Sequence, residues 1–149
     1  MDIIQKNKKA YHDYFILDKL EAGIKLKGSE IKSIRDGKVN LKGSFCKLVK
    51  NEIFLFDCHI TRFEHQNVFD TFDETRERKL LLNKKEIRKW EKELKLNQGL
   101  SIVPLSIYIN DKNLCKLKIA LVKGKKAHDK REAQKEKDIN LKLRQTDWS

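Results

Sequence analysis

The sequence predicts a mainly β protein, a small antiparallel barrel with flanking helices and a basic C-terminal tail. Three observations carry that prediction. Short runs that alternate apolar and polar residues recur through the first 122 positions, bounded by turn residues. Only one proline and six glycines occur in 149 residues, and no Gly-, Pro- or Ser-rich linker divides the chain. Residues 123–149 then carry a dense run of charge with almost no apolar face. One domain with a modest core (1–122) and a basic tail (123–149) follow from these.

The elements come in order. A short helix is expected around 3–9. DYFILDKL (13–20) is a strand candidate. In GIKLKG (23–28), Ile24 and Leu26 alternate with Lys25 and Lys27. GSEIKSIRDG puts Ile31 and Ile34 on one helical face, with Ser29 as the expected N-cap and Gly37 as the stop. SFCKLVKNEIFLFDCHI (44–60) reads as two strands turning at Asn51–Glu52. Asn83 followed by Glu86 makes an asparagine variant of the capping box. Ile87, Trp90 and Leu94 then fall at i, i+3 and i+7, and Gly99 is expected to end that helix. LSIYIN (105–110) and LCKLKIALV (114–122) pair across Asp111–Lys112. In the last strand Cys115, Leu117, Ile119 and Leu121 share a core face, and Lys116 and Lys118 share the other. Five or six strands with capping helices point to a barrel of the OB type. The spacing alone fits a closed barrel or an open sandwich. Such barrels often bind nucleic acid, but a fold is not a function.

Composition narrows the partner. Hydrophobic residues make up 39% and charged residues 38%, and the formal net charge is +12. An excess of that size calls for a polyanion. No apolar run approaches the roughly 20 residues that span a bilayer. The opening MDIIQKNKKAYHDY lacks the apolar core and cleavage site of a signal peptide. The expectation is a cytoplasmic protein with no membrane partner.

The chain has no Gly-rich phosphate loop before a lysine, no HExxH and no GxSxG, so neither an enzyme nor a cofactor is expected. Cys46, Cys58 and Cys115 are widely spaced in apolar runs and read as buried thiols, and nothing near Cys58–His59 completes a zinc set. Asp70, Asp73 and Glu74 read as a solvated loop before they read as a metal site.

The basic elements are more informative. In TRERKLLLN (75–83), Arg76, Arg78 and Lys79 precede an apolar triplet. Alternate arginines on a strand face one way and suit phosphate geometry; the plainer reading is surface charge beside a core strand. Phe63, Phe69 and Phe72 fit base stacking, and fit a core better. His128, among Lys125, Lys126, Lys130 and Arg131, is a stacking candidate. Asp129 and Glu132 fit an N-cap and N3 pair. Ile139 and Leu143 make one isolated i, i+4 apolar pair, too little area to dock a helix. Lys123, Lys125 and Lys126 oppose the dipole of that helix yet suit a phosphate at its N-terminus. The arm is expected to be disordered or frayed alone and to fold against nucleic acid.

Several stretches together resemble one family. NKKAYHDYFILDKLEAGIKLKGSEIKSIRDGKVNL, TRERKLLLNKKEI, GLSIVPLSIYIN and LVKGKKAHDKRE resemble, in order and spacing, blocks of small protein B, the SsrA-binding protein family of bacteria. The resemblance runs from about Asn7 to Lys137. It implies an OB-like barrel that binds the tRNA-like domain of transfer-messenger RNA (tmRNA, or SsrA RNA). It implies delivery of that RNA to the A site of stalled ribosomes for trans-translation, with the tail becoming helical in the empty mRNA channel beside the decoding centre. Elongation factor Tu enters as a partner through the tmRNA complex. The family's RNA contacts fall on Asn7, His12, Glu21, Leu81 and Asn83, beside the basic run of Arg76, Arg78 and Lys79. Its tail motifs fall on Gly124, Lys125, Lys126, His128, Asp129, Lys130 and Arg131, and Ile139 stands where relatives often carry an aromatic residue. Two rivals remain: a protein permanently bound to ribosomal RNA, and an RNA nuclease.

Overall fold

The computed structural model describes residues 2–62 and 72–124. Expectations for Phe63, Phe69, Asp70 and the tail beyond Gly124 lie outside the described residues.

The chain opens with strand β1 (Asp2–Lys6) and then helix α1 (Lys8–Asp13). The helix expected around 3–9 is therefore shifted. Its first half pairs antiparallel with a later strand, and sheet pairing overrides local preference there. DYFILDKL and the start of GIKLKG merge into one long strand, β2 (Tyr14–Ile24). The chain then leaves the sheet for α2 (Gly28–Arg35), whose N-cap is Lys27 and not Ser29. Glu30 explains the difference. Its carboxylate reaches back to accept from the Lys27 N–H at 2.8 Å, while Ser29 is buried in the first turn. The helix stops where expected. The Gly37 N–H donates to the Ile34 carbonyl and the Lys38 N–H to the Ser33 carbonyl, both at 2.9 Å. This Schellman closure puts Gly37 at φ +76°, where a side chain is disfavoured.

Short strand β3 (Val39–Asn40) pairs with β6 (His59–Ile60) as a separate two-stranded sheet. Between them lie β4 (Phe45–Val49) and β5 (Glu52–Phe56). Their turn is Lys50–Asn51, one residue earlier than expected, with φ of 50° and 66°. Two positive φ angles make the tight turn whose twist suits a hairpin. Phe45 and Phe56 stack across it at 5.4 Å. Next come β7 (Arg78–Leu81), α3 (Lys84–Leu96), β8 (Leu100–Ile109) and β9 (Cys115–Gly124). Helix α3 ends three residues before Gly99, which takes a positive φ in the turn to β8.

The large sheet is antiparallel, in the order β1-β8-β4-β5-β7-β2-β9, and β9 also pairs with β8. The pairings therefore run from β8 through β4, β5, β7, β2 and β9 back to β8. Two links in that ring are long, β2–β9 and β8–β9. Three are short: β4–β8 meets only at Cys46↔Ile102, β2–β7 only at Gly23↔Leu81 and Ile24↔Leu80, and β5–β7 only at Phe54↔Lys79 and Leu55↔Arg78. Bulges between Ile16 and Asp18 and between Pro104 and Ser106 let the long strands bend. Pro104 sits at the second bulge, a position that tolerates its missing N–H.

Leu117, Ile119 and Leu121 face inward with Ile53, Leu55, Leu80, Ile102 and Ile107. Helix α3 lays Ile87 and Trp90 onto the same core, and Leu94 packs at its margin, as the periodicity required. The Trp90 Nε1–H donates to Asp18 at 2.8 Å, so the buried indole keeps a polar partner. A second cluster joins Val103, Leu105, Ala120 and Val122 to Ala10 of α1. Thus only part of the other face of β9 is charged. Lys116 and Lys118 hold one end, and α1 covers the other. Among the described residues no helix is long and apolar enough to cross a membrane.

Trp90→Ala should destabilise the protein by about 3–5 kcal/mol, through lost burial and an orphaned cavity. Urea denaturation followed by circular dichroism reads this directly.

Candidate nucleic-acid interface

Arg76 and Arg78 do not share a free phosphate-binding face. Alternation on β7 sends Arg78 and Leu80 inward and leaves Lys79 and Leu81 outward. Arg78 is 0% exposed, so the expectation that it touches RNA is corrected. Its Nε–H donates to Glu30 at 2.8 Å, one Nη to the Cys58 and Arg76 carbonyls, and the other to the Asp73 and Glu74 carbonyls. All five guanidinium donors are thereby used. Arg76 lies at the edge of this cluster and forks onto the same carboxylate, at 3.0 and 2.6 Å. Burial alone would push Glu30 up; hydrogen bonds from Arg76, the Lys27 N–H and Arg78 outweigh it and hold the carboxyl below its ordinary value.

What the sheet does assemble is a row of outward residues. Gly23 on β2 lies opposite Leu81 on one side and Lys116 on the other. Lys116 lies opposite Tyr108, and Tyr108 opposite Ile3. One step along, Glu21 lies opposite Lys118, and Lys118 opposite Ser106. The result is a shallow face spanning five strands. It carries an exposed leucine, two lysines and one carboxylate. A Cβ on Gly23 would sit 3.3 Å from the Leu81 Cβ, so glycine there makes room for the Leu81 side chain that lies over it. Tyr108 is 2% exposed and its hydroxyl donates to Glu21 Oε2. Burial and then the Glu21 carboxylate push the phenol well above its ordinary value, so it stays a donor.

The other expected residues divide between this face and elsewhere. Lys79 is outward, with Glu52 at 3.8 Å, an exposed pair of little energetic weight. Asn83 caps α3 as the capping box required: its side chain accepts from the Glu86 N–H at 3.0 Å and its own N–H donates back at 3.2 Å. Asn7 is buried, with its N–H on the Leu105 carbonyl at 2.7 Å and its amide on the Pro104 carbonyl at 2.9 Å. It pins α1 to the bulge of β8. His12 is exposed, with Nδ1 3.0 Å from Asp13. Gly124 ends β9 opposite Tyr14, beside α1. Seven residues of β2, about 23 Å of strand, separate Tyr14 from Glu21. The expected residues therefore form two groups, Glu21 with Leu81 at one end of β2, and His12 with Gly124 at the other. Lys125, Lys126, His128, Asp129, Lys130, Arg131 and Ile139 lie outside the described residues.

Tyr108 and Gly23 are additions to the expected set. Tyr108 read as a strand residue, and its partner is 87 positions away. Phe72 is buried in the core, as its plainer reading held. Cys46 and Cys58 are buried, and burial pushes the Cys58 thiol up to about 11. Asp73 and Glu74 are occupied locally, by Thr75 and by His59 with the Arg62 N–H. A cavity of about 700 Å³ lies between α1, β4 and the start of β8, away from the Glu21 face.

The model of the family described as SmpB protein matches residues 4–147. An SsrA-binding protein of Helicobacter hepaticus is 55% identical over 142 residues, covering 95% of this chain and 91% of the relative. An SsrA-binding protein of Helicobacter pylori strain J99 is 50% identical over 143 residues, covering 96% and 93%. A solved structure described as "tmRNA-SmpB: a journey to the center of the bacterial ribosome" superposes with a TM-score of 0.68 and 41% identity, covering 87% of this chain and 93% of that one.

Glu30→Gln should cost about 3–5 kcal/mol at neutral pH, because Arg78 is left buried without its counter-charge. The depressed carboxyl also sets a sign. Its contribution is complete above the ordinary value of 4.5 and is lost as pH falls through the lower folded value. Wild-type stability should therefore drop on acidification below that point, and the Glu30→Gln curve should be flatter; urea midpoints from pH 7 to pH 3 measure both. Asn83→Ala should cost about 1 kcal/mol through the lost cap. A thermal melt gives that figure, to be set against any loss of RNA affinity.

Proposed function

The chain belongs to the SmpB protein family, and from that premise we propose that it binds the tRNA-like domain of tmRNA and delivers it to the A site of stalled ribosomes for trans-translation. The family match across residues 4–147 carries this reading. The physical chemistry of the chain supports it. A net charge of +12 suits an RNA partner, and the Glu21–Leu81 face offers lysines for phosphates and apolar and polar groups for exposed bases. We read the ring of strands as an OB-like barrel, the RNA-holding unit, which runs to Gly124 and so two residues past the expected boundary at 122. The second unit, expected from 123, begins after strand β9 ends at Gly124 and is assigned to the vacant mRNA channel, with Gly124, Lys125, Lys126, His128, Asp129, Lys130, Arg131 and Ile139 meeting the ribosome. His12, Glu21, Lys79, Leu81 and Asn83 meet tmRNA, and Arg76 borders them. Asn7 contributes by fixing α1. The protein acts as a cytoplasmic adaptor and not as an enzyme, and elongation factor Tu joins it through the RNA.

A gel-shift titration with the tRNA-like domain of tmRNA, with elongator tRNA as competitor, tests the reading. Tight binding that the competitor fails to displace is expected. Equal affinity for both RNAs would reduce the protein to a general RNA binder. Affinity should fall steeply with salt, by a slope of about 0.7–0.9 per phosphate neutralised. A chain cut after Gly124 should keep its tmRNA affinity and lose tagging on stalled ribosomes. Equal loss of both would overturn the division of labour.

A further inference from the structure

Glu21 stands out on so basic a surface. A carboxylate repels phosphate, so its use must lie in accepting hydrogen bonds. It is exposed and outward on β2, opposite Lys118. Tyr108 lies on β8, on the far side of β9, and its hydroxyl reaches across that strand to Glu21 Oε2. The phenol ring is buried, so the hydroxyl is anchored and holds the carboxylate in turn. A tether of this kind serves recognition better than stability, because one end of it remains at the surface.

We propose that Tyr108 is a positioning residue that presents Glu21 to the Watson–Crick edge of an unpaired guanine in the bound RNA. The inference rests on the function proposed above and deepens it. Guanine is the base whose edge sets two N–H donors, N1–H and the N2 amino group, side by side. Two carboxylate oxygens match that pair. Adenine and cytosine place a ring acceptor beside their amino group, which would face a carboxylate lone pair. Uracil offers one N–H between two carbonyls. Oε2 has lone-pair capacity beyond the Tyr108 bond, so both oxygens can serve. The surroundings fit a base. The Leu81 side chain lies over Gly23 beside Glu21 and, 51% exposed, gives an apolar surface where the base plane can lie. Lys116 and Lys118 on the neighbouring strand hold positive charge for the flanking phosphates.

The test replaces each unpaired guanine of the tRNA-like domain by inosine, one at a time, and titrates each RNA with the full-length protein. Inosine keeps N1–H and lacks the N2 amino group. At one position the substitution should weaken wild-type binding about tenfold, the loss of one charge-assisted hydrogen bond. Glu21→Gln should weaken binding to the unmodified RNA and no longer respond to inosine there. Tyr108→Phe should melt cooperatively, show a reduced inosine response, and add nothing to Glu21→Gln in the double variant. A purely structural tyrosine would leave the inosine response intact and its loss would add to that of Glu21→Gln. Either result, or no inosine-sensitive position, overturns the proposal. Failure of wild-type protein to bind the unmodified RNA overturns the proposed function itself, and the inference with it.

Discussion

One buried carboxylate ties together parts of the chain that are far apart in sequence. Glu30 comes from the first turn of α2, and the arginines it binds come from the approach to β7 and from β7 itself. Through Arg78 the same cluster reaches the Cys58, Asp73 and Glu74 carbonyls. Taking such charges out of water costs several kcal/mol per ion, and the attraction between them offsets that only when every donor finds an acceptor. Here each guanidinium N–H of Arg78 does. The arrangement is therefore better described as a constraint on geometry than as a source of stability. It specifies how α2, β7 and the segment after β6 sit together, and leaves hydrophobic burial to supply the free energy.

That constraint also orients the outer face. β7 meets β2 and β5 through only two residue pairs each, so its position depends also on what lies behind it. With Arg78 and Leu80 locked inward, Lys79 and Leu81 can only point out. Leu81 then lands beside Gly23, and Gly23 beside Lys116. A buried pair, Glu30 and Arg78, thus decides which side chains solvent, or a partner, will meet.

The parts legible in the sequence are those whose cause is local. Asn83 and Glu86 are three residues apart and cap the same turn. Ile87, Trp90 and Leu94 follow one helical stripe. The β8–β9 hairpin joins neighbours in the chain, and the family blocks are contiguous runs. The parts that were not legible depend on distant partners. Arg78 looks like surface charge until Glu30, 48 positions earlier, is seen beneath it. Ser29 is a better N-cap than Lys27 by residue type, yet Glu30 selects Lys27. Ile3 and Ile4 fit a helix until β8 offers a pairing edge. Tyr108 belongs to the same class, since no periodicity links it to Glu21.

Strand β9 is paired on both sides for most of its length, to β2 and to β8. It carries Lys116 and Lys118 near its start and hands the chain on at Gly124. Inserting or deleting one residue in it would swap Leu117 for a lysine in the interior and break two registers at once. The strand therefore works as a ruler of fixed length between the Glu21 face and the root of the arm. Any change in how far the arm reaches has to be made beyond Gly124, where added or lost residues cost the sheet nothing.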